Sequence, residues 1–361
     1  MKRIYLDNAA TSWPKAPGLG SVLSDYIEND CVNLNRTESS KAYDSFSWLY
    51  TLRHDICKIY NSDKPSNVVF TKNVTEALNW VIKGLIKKDD PVTVSGYEHN
   101  SVIRPLVQLG ADWVVDSVRP KTIAVIVNAA SNVTGKIVNL EYYAKAAEKA
   151  GAFFIIDAAQ ATPFIDIDMK KLKADAVCFT GHKGLLGPQG TGGFVINSRL
   201  AQVLNPLMSG GSGTQSDSYE IPSTMPEKFT CGTENLIGLK GLSYSVRYVI
   251  DNFETLHKSA LDNIRYLYDG ISRIEELEIV SEDPHVNYCG VISVKCKKYD
   301  ISDIASYLSD NGVETRVGLH CSPLAHKTAG TFPGGTLRFS PGSFNTKEEL
   351  DYVLKLITEF F

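Results

Sequence analysis

A chain of 361 residues, 43% hydrophobic and 22% charged, has the material for a sizeable core and for two domains or one large one. Its 37 basic and 41 acidic side chains leave a net charge of −4, which argues against nucleic acid or an acidic membrane surface as partner. No apolar run reaches a membrane span, Asp7 and Asn8 interrupt the first one, and seven scattered cysteines fit reduced thiols in a cytoplasm.

Short β-rich runs alternate with helical patterns through the first two thirds. Residues 68–71 read as a strand. The spacing of Ala77, Leu78, Val81, Ile82 and Leu85 predicts a helix over 75–85. Further strands are expected at 91–95, 122–128, 152–157 and 174–180, with an amphipathic helix over 140–150. This alternation predicts an α/β fold with a mainly parallel sheet and helices on both faces. Beyond about residue 239 the pattern changes. One long helical stretch to about 274 is expected, then strands at 290–295 and 335–339 and helices at 301–309 and 348–361. The expected division is a large domain, 15–245, and a smaller α+β C-terminal domain, 246–361, with residues 1–14 packing near the latter. No internal repeat is evident.

In an open α/β sheet, ligands bind beyond the carboxyl ends of the strands. Five expected strand ends here carry polar or ionisable groups. They lead into residues 71–76, 96–100, 128–132, 157–160 and 180–183.

Lys183 follows an apolar strand and sits between Gly181-His182 and Gly184, unlike the solvated Lys170, Lys171 and Lys173. It reads either as a surface lysine in a glycine-rich loop or as an amine held from water, able to form a Schiff base. Asp157 ends a continuous apolar strand, where a carboxylate is costly unless paired. It is either a helix cap or the partner of a protonated ring nitrogen. Asn73 with Glu76 resembles a capping box, and Thr75 beside the same N-terminus also suits a phosphate. His99 is either a buried, hydrogen-bonded histidine or one that stacks on a flat ring and moves protons. Cys321, between His320 and Ser322, reads as an exposed, reactive thiol. Cys178, Cys289 and Cys296 read as structural. No cysteine pair has C-x-x-C spacing, so no metal is expected.

Several segments together resemble the class V aminotransferase fold family of pyridoxal-phosphate (PLP) enzymes, and within it the cysteine desulfurase and selenocysteine lyase branch. They are Tyr5-Leu6-Asp7-Asn8-Ala9-Ala10-Thr11, Thr75-Glu76-Ala77, Glu98-His99-Asn100-Ser101, Ser131-Asn132-Val133-Thr134-Gly135, Asp157-Ala158-Ala159-Gln160, Gly181-His182-Lys183, Gly232-Thr233-Glu234-Asn235, Arg316-Val317-Gly318-Leu319-His320-Cys321 and Leu337-Arg338-Phe339-Ser340. Each alone is weak; their joint order over nearly the whole chain is specific.

The resemblance implies fold type I and the cofactor pyridoxal 5'-phosphate, with Lys183 carrying it. By the same resemblance Asp157 pairs with the ring nitrogen, Gln160 bonds the ring oxygen and His99 stacks on the ring. Asn132 lies near the ring oxygen and substrate, and Thr75, Thr180 and His182 hold the phosphate. Thr233 reaches the phosphate of a neighbouring subunit, which implies a homodimer. Arg338 clamps the substrate carboxylate, with Arg316 assisting. The implied reaction converts L-cysteine to L-alanine and leaves a persulfide on Cys321, with selenocysteine as an alternative substrate and a protein as sulfur acceptor. His320 is expected to help lower the thiol pKa.

The chain departs from the family pattern in three places. Asn73-Val74 stands where the phosphate loop usually reads Gly-Thr, residues 33–40 are poorer in glycine and histidine, and 106–121 is short where relatives carry a further strand and helix. The first alternative is another PLP enzyme on the same scaffold, an aminotransferase or a C–S lyase; a transaminase has no need of Cys321. A non-catalytic sulfur-relay protein has no need of Lys183, Asp157, His99 and Arg338. A nicotinamide enzyme lacks support, since no G-x-G-x-x-G follows the first strand. The run 209–214 reads as a loop over the site rather than a phosphate cradle.

Overall fold

The structure, a computed structural model, describes residues 3–34, 40–287 and 290–361. Cys289 and residues 35–39 of the departing segment lie outside that range. In chain order, Ile4–Tyr5 (β1) and Leu19–Asp25 (α1) precede Ser40–Ile59 (α2), Val68–Thr71 (β2), Val74–Leu85 (α3), Pro91–Val94 (β3) and Asn100–Leu109 (α4). Next come Asp112–Val115 (β4), Ala124–Asn128 (β5), Leu140–Ala150 (α5), Phe153–Asp157 (β6), Met169–Leu172 (α6), Ala176–Thr180 (β7), Gly192–Ile196 (β8) and Ser198–Val203 (α7). The last third holds Leu236–Asp251 (α8), Phe253–Ile271 (α9), Leu277–Ile279 (β9), Ile292–Cys296 (β10), Ile301–Asp310 (α10), Val313–Glu314 (β11), Arg316–Gly318 (β12), Pro323–Thr328 (α11), Thr336–Phe339 (β13) and Lys347–Phe360 (α12).

Seven strands form the large sheet in the order β2-β8-β7-β6-β5-β3-β4. All run parallel except β8, which is antiparallel to both its neighbours. The runs in β5, β6 and β7 are apolar because helices cover both faces of these strands. One face packs Leu52 and Ile56 of α2, Ala147 of α5 and Leu242 of α8 against Val125, Ile156 and Val177. The other packs Leu78 and Ile82 of α3, Leu106 of α4 and Leu200 of α7 against Ile126, Ile155 and Phe194. A four-stranded sheet, β12-β13-β10-β9, has its own core with α9, α10 and α12, and Ile4 and Leu6 belong to it.

Local chemistry fixes the helix ends that matter for the site. The Asn73 side chain accepts the Glu76 N–H at 2.9 Å, and Glu76 reaches back to the Lys72 N–H at 2.6 Å, so α3 starts beside the end of β2. Asn139 caps α5, and Gly151 stops it in a left-handed conformation at φ 68°.

Two expectations need correction. The stretch expected as one helix is two, α8 and α9, meeting at Asn252, whose backbone leaves the helical region (φ −116°, ψ 17°). The region 106–121 does carry a strand: β4 pairs with β3 in parallel register and completes the seven-stranded sheet. Its edge position leaves it half exposed, which hides it from an apolar-run reading.

Candidate active site

The strand order reverses between β5 and β3, because β3 leads outward to β4 whereas β5 leads the other way to β6 and β7. A crevice opens at the carboxyl ends of strands at such a point. A cavity of about 260 Å³ lies there. It is lined by Asn73, Val74 and Thr75 from the start of α3, His99 after β3, Asn132 after β5, Asp157 and Gln160 after β6, and His182 and Lys183 after β7.

The Lys183 amine is pulled down to about 8, chiefly by burial; Asp157 opposes this and Arg338 adds to it. Asp157 is buried at the end of β6, and its Oδ1 accepts the Ala159 N–H at 2.9 Å. Burial pushes its carboxyl above the ordinary value, while the Ala159 N–H and Lys183 pull the other way.

His99 caps α4. The Ser101 N–H donates to its Nδ1 at 3.0 Å, which leaves the ring proton on Nε2. Burial, then Lys183, Arg104 and Arg338, lowers its pKa to about 4, so the ring is neutral near pH 7. Burial and Lys183 likewise bring His182 to about 4. The His182 Nδ1 is buried and has no partner among the described residues. The Gln160 amide donates to the Ala9 carbonyl at 2.9 Å, which ties the N-terminal segment to the rim. Gly184 lets the Lys183 turn approach a neighbouring segment: a Cβ there would lie 2.2 Å from the Thr162 carbonyl oxygen.

Asn132 connects this cavity to the cysteine. Its Nδ2 donates to the His320 carbonyl at 2.8 Å, and its Oδ1 accepts the Ser322 hydroxyl at 2.7 Å. The loop between these contacts carries Cys321, which is exposed. The Asn100 N–H holds the Cys321 carbonyl at 2.9 Å. His320 and Cys321 both adopt left-handed backbone conformations, at φ 46° and 58°, uncommon for such side chains.

Arg338, 2% exposed, donates from Nη1 to the Asn132 carbonyl at 2.9 Å and from Nη2 to Asp7 at 2.8 Å. Arg316 lies opposite it on β12 and engages the same Asp7 carboxylate through Nε and Nη2. The buried Arg338 Nε has no partner among the described residues.

The aminotransferase class-V family pattern matches residues 4–116 and 111–353. The chain belongs to the class V aminotransferase family. A probable cysteine desulfurase of Methanothermobacter thermautotrophicus is 31% identical over 99% of this chain and 94% of the relative. One of Borreliella burgdorferi is 30% identical over 96% and 89%. The apo structure of a cysteine desulfurase from Thermococcus onnurineus NA1 superposes with a TM-score of 0.90 at 27% identity, covering 99% of this chain and 94% of that one. The architecture is that of fold type I PLP-dependent enzymes.

The class V chain thus gathers Thr75, His99, Asn132, Asp157, Gln160, His182 and Lys183 at one cavity. It sets the Cys321 loop and Arg338 one contact beyond, through Asn132, and Arg316 beyond Arg338, through their shared Asp7. One expected phosphate ligand meets a different placement: Thr180 is buried, does not line the cavity, and turns its hydroxyl to the Thr191 carbonyl at 3.5 Å. Thr233, expected at a neighbouring subunit's phosphate, lines a separate cleft of its own chain with residues 212–214, Phe46 and Tyr50.

His320 is a neutral ring near pH 7. Burial, then Arg338 and His326, lowers its pKa to about 2, and its Nε2 sits 2.9 Å from the Thr336 hydroxyl, inside the fold. The sequence reading had no role for Glu98, Ser322 or Asp7. Glu98 is fully buried; its Oε1 takes the Ser95 hydroxyl at 2.5 Å and the Asn128 N–H at 2.7 Å. The signal available for Asp7 and Glu98 was their place inside segments already singled out.

Proposed function

We propose that this chain is a PLP-dependent cysteine desulfurase, converting L-cysteine to L-alanine and a persulfide on Cys321. The observation that carries the reading is the Asn132 bridge. One side chain lines the Lys183 cavity and also holds both sides of an exposed cysteine loop.

The residues fit the cofactor. The cavity combines an amine of lowered pKa, a buried carboxylate suited to a ring N–H and a neutral imidazole suited to stacking. It also has a helix N-terminus with Thr75 suited to a phosphate, beside a His182 nitrogen with no partner among the described residues. Val74 donates only from its backbone, so here the phosphate would depend on main-chain N–H groups. When bound, PLP supplies an electron sink for the bond broken at the substrate α-carbon.

Lys183 would hold the cofactor and is placed to take the substrate α-proton on Nζ; an amine with a pKa near 8 has a usable neutral fraction at pH 7. Asp157 would pair with the ring nitrogen of the cofactor and favour its protonated form. Arg338, assisted by Arg316, orients the substrate carboxylate, and Arg also suits that group as a planar fork. The Cys321 thiolate attacks the substrate sulfur. A sulfur–sulfur bond forms, the carbon–sulfur bond breaks, and the carbon takes a proton to give alanine. The persulfide stands on an exposed loop, in reach of a protein acceptor.

A homodimer belongs to this proposal. Thr233 lies outside its own chain's Lys183 cavity, and α2 exposes Tyr43 (69%), Phe46 (66%) and Tyr50 (54%) along one stripe. The domain division stays at 15–245 and 246–361, supported by the separate core of the small sheet, which takes in Ile4 and Leu6. A cytoplasmic, reducing location is consistent with free cysteines at 31, 57, 178, 231, 296 and 321. Among the described residues no helix is long and apolar enough to cross a membrane.

The test is alanine release from L-cysteine and L-selenocysteine beside the visible spectrum of the PLP-loaded protein. Wild type should show the cofactor band and release alanine. Cys321→Ala should keep the band and lose persulfide formation from L-cysteine. Lys183→Ala should lose the band, and retention of it sinks the cofactor assignment. A band without alanine from either substrate would move the reading to another amino acid.

A further inference from the structure

Arg316 and Arg338 are directly opposite each other on antiparallel β12 and β13. Like charges in that register repel, and one of the pair is almost fully buried, so the arrangement needs a counter-charge. Asp7, 7% exposed, supplies it. Its Oδ1 accepts from Arg338 Nη2 at 2.8 Å, and its Oδ2 accepts from Arg316 Nη2 at 2.7 Å and Nε at 2.9 Å.

The carboxylate is fixed by the chain around it. The Ser340 N–H donates to the Leu6 carbonyl at 2.7 Å, the Asn8 N–H donates to the Ser340 carbonyl at 3.1 Å, and the Tyr5 hydroxyl donates to the Asp7 carbonyl at 3.1 Å. Two guanidinium groups against one carboxylate leave a surplus of one positive charge. Among the described residues the buried Arg338 Nε–H has no partner there.

We infer that Asp7 is a specificity-determining residue that sets this surplus at one, so that the subsite accepts amino acids bearing a single anionic group and disfavours those with a second. The inference rests on the reading of Arg338 as the clamp for the substrate carboxylate. A ligand with one carboxylate neutralises the surplus. A second carboxylate enters a field already balanced and meets Asp7 as a like charge.

Titration of the PLP-loaded enzyme with L-alanine and with L-aspartate, followed by the shift of the visible band, gives a ratio of affinities. Because it is a ratio, a general loosening of the site cancels. Asp7→Asn raises the surplus to two and should move the ratio toward L-aspartate by about tenfold or more. The double variant Asp7→Asn, Arg316→Gln returns the surplus to one and should bring the ratio back toward wild type, a rescue that a merely structural role would not produce. Arg316→Gln alone removes the surplus and should move the ratio toward L-alanine; Arg316 is half-exposed, so this variant serves if Asp7→Asn loses its cofactor. An unchanged ratio in Asp7→Asn with the band retained, or in Arg316→Gln, overturns the inference. Separately, an Arg338→Gln enzyme that binds L-alanine as tightly as wild type overturns the carboxylate-clamp reading on which it rests.

Discussion

The Ser322 hydroxyl donates a 2.7 Å hydrogen bond to the Asn132 side-chain oxygen, joining residues 190 positions apart. Ser322 is fully buried and follows Cys321 directly. The bond lets the loop stay exposed at Cys321 while its flank is locked to the residue lining the cofactor cavity. The loop between β12 and α11 is therefore a held platform.

Ser322→Ala should loosen that platform. Leaving a buried acceptor on Asn132 unpaired costs about 1–3 kcal/mol. The expected result is a lower melting temperature and slower single-turnover alanine release from L-cysteine, with the cofactor band intact. A variant that releases alanine at the wild-type rate would show that the bond does not position the thiol.

Glu98 gives a pH dependence of stability with a definite sign. Burial raises its carboxyl to about 8, with the Ser95 hydroxyl and the Asn128 N–H opposing. The folded state thus holds a proton that the unfolded chain releases near its ordinary value of 4.5. The stability this contributes is full below that value and is lost as pH rises through 8. Glu98→Gln cannot ionise and should flatten the fall in melting temperature between about pH 4.5 and about 8. The depressed histidines 99, 182 and 320 act on the other limb. Their contribution is present above the ordinary histidine value of 6.5 and is lost as pH falls from there through the folded values, about 4 for His99 and His182. Melting temperature measured from about pH 4 to about pH 9 reads both limbs. An equal fall over that window in wild type and variant would remove Glu98 from the account.

The aromatic stripe on α2 predicts the assembly. Phe46→Asp places a charge in the middle of Tyr43, Phe46 and Tyr50, a substitution harmless on a free surface and costly in a covered one. Sedimentation should find wild type at twice the chain mass and the variant as a monomer with reduced cofactor retention. Monomeric wild type would set the shared-site proposal aside.

Much of the large sheet was legible because its central strands are buried on both faces and read as apolar runs. Helix α5 matched its expected range, since the cap at Asn139 and the stop at Gly151 are written in local chemistry. Strand β8 was not legible. Gly192 and Gly193 look like loop, yet a Cβ on Gly193 would lie 2.4 Å from the Val69 carbonyl oxygen, so close strand approach requires the glycine there. Helix α2 escaped because its aromatic residues face outward, which blurs the apolar period.

The sequence by itself determined which residues end five of the seven strands of the large sheet, and so which chemistry collects at its carboxyl edge, because side-chain periodicity and capping act over a few neighbouring residues. It also determined the family, through the order of short segments. Only the tertiary structure decided which distant groups meet. Asp7 and Arg338, 331 positions apart, become one ion pair because β1 and β13 belong to the same small lobe. His320, adjacent to Cys321 in the chain, is turned inward onto Thr336 and held neutral by burial, while Ser322 carries the loop's contact with Asn132. Adjacency along the backbone sets what a residue is able to do; packing sets the dielectric and the partner that determine what it does.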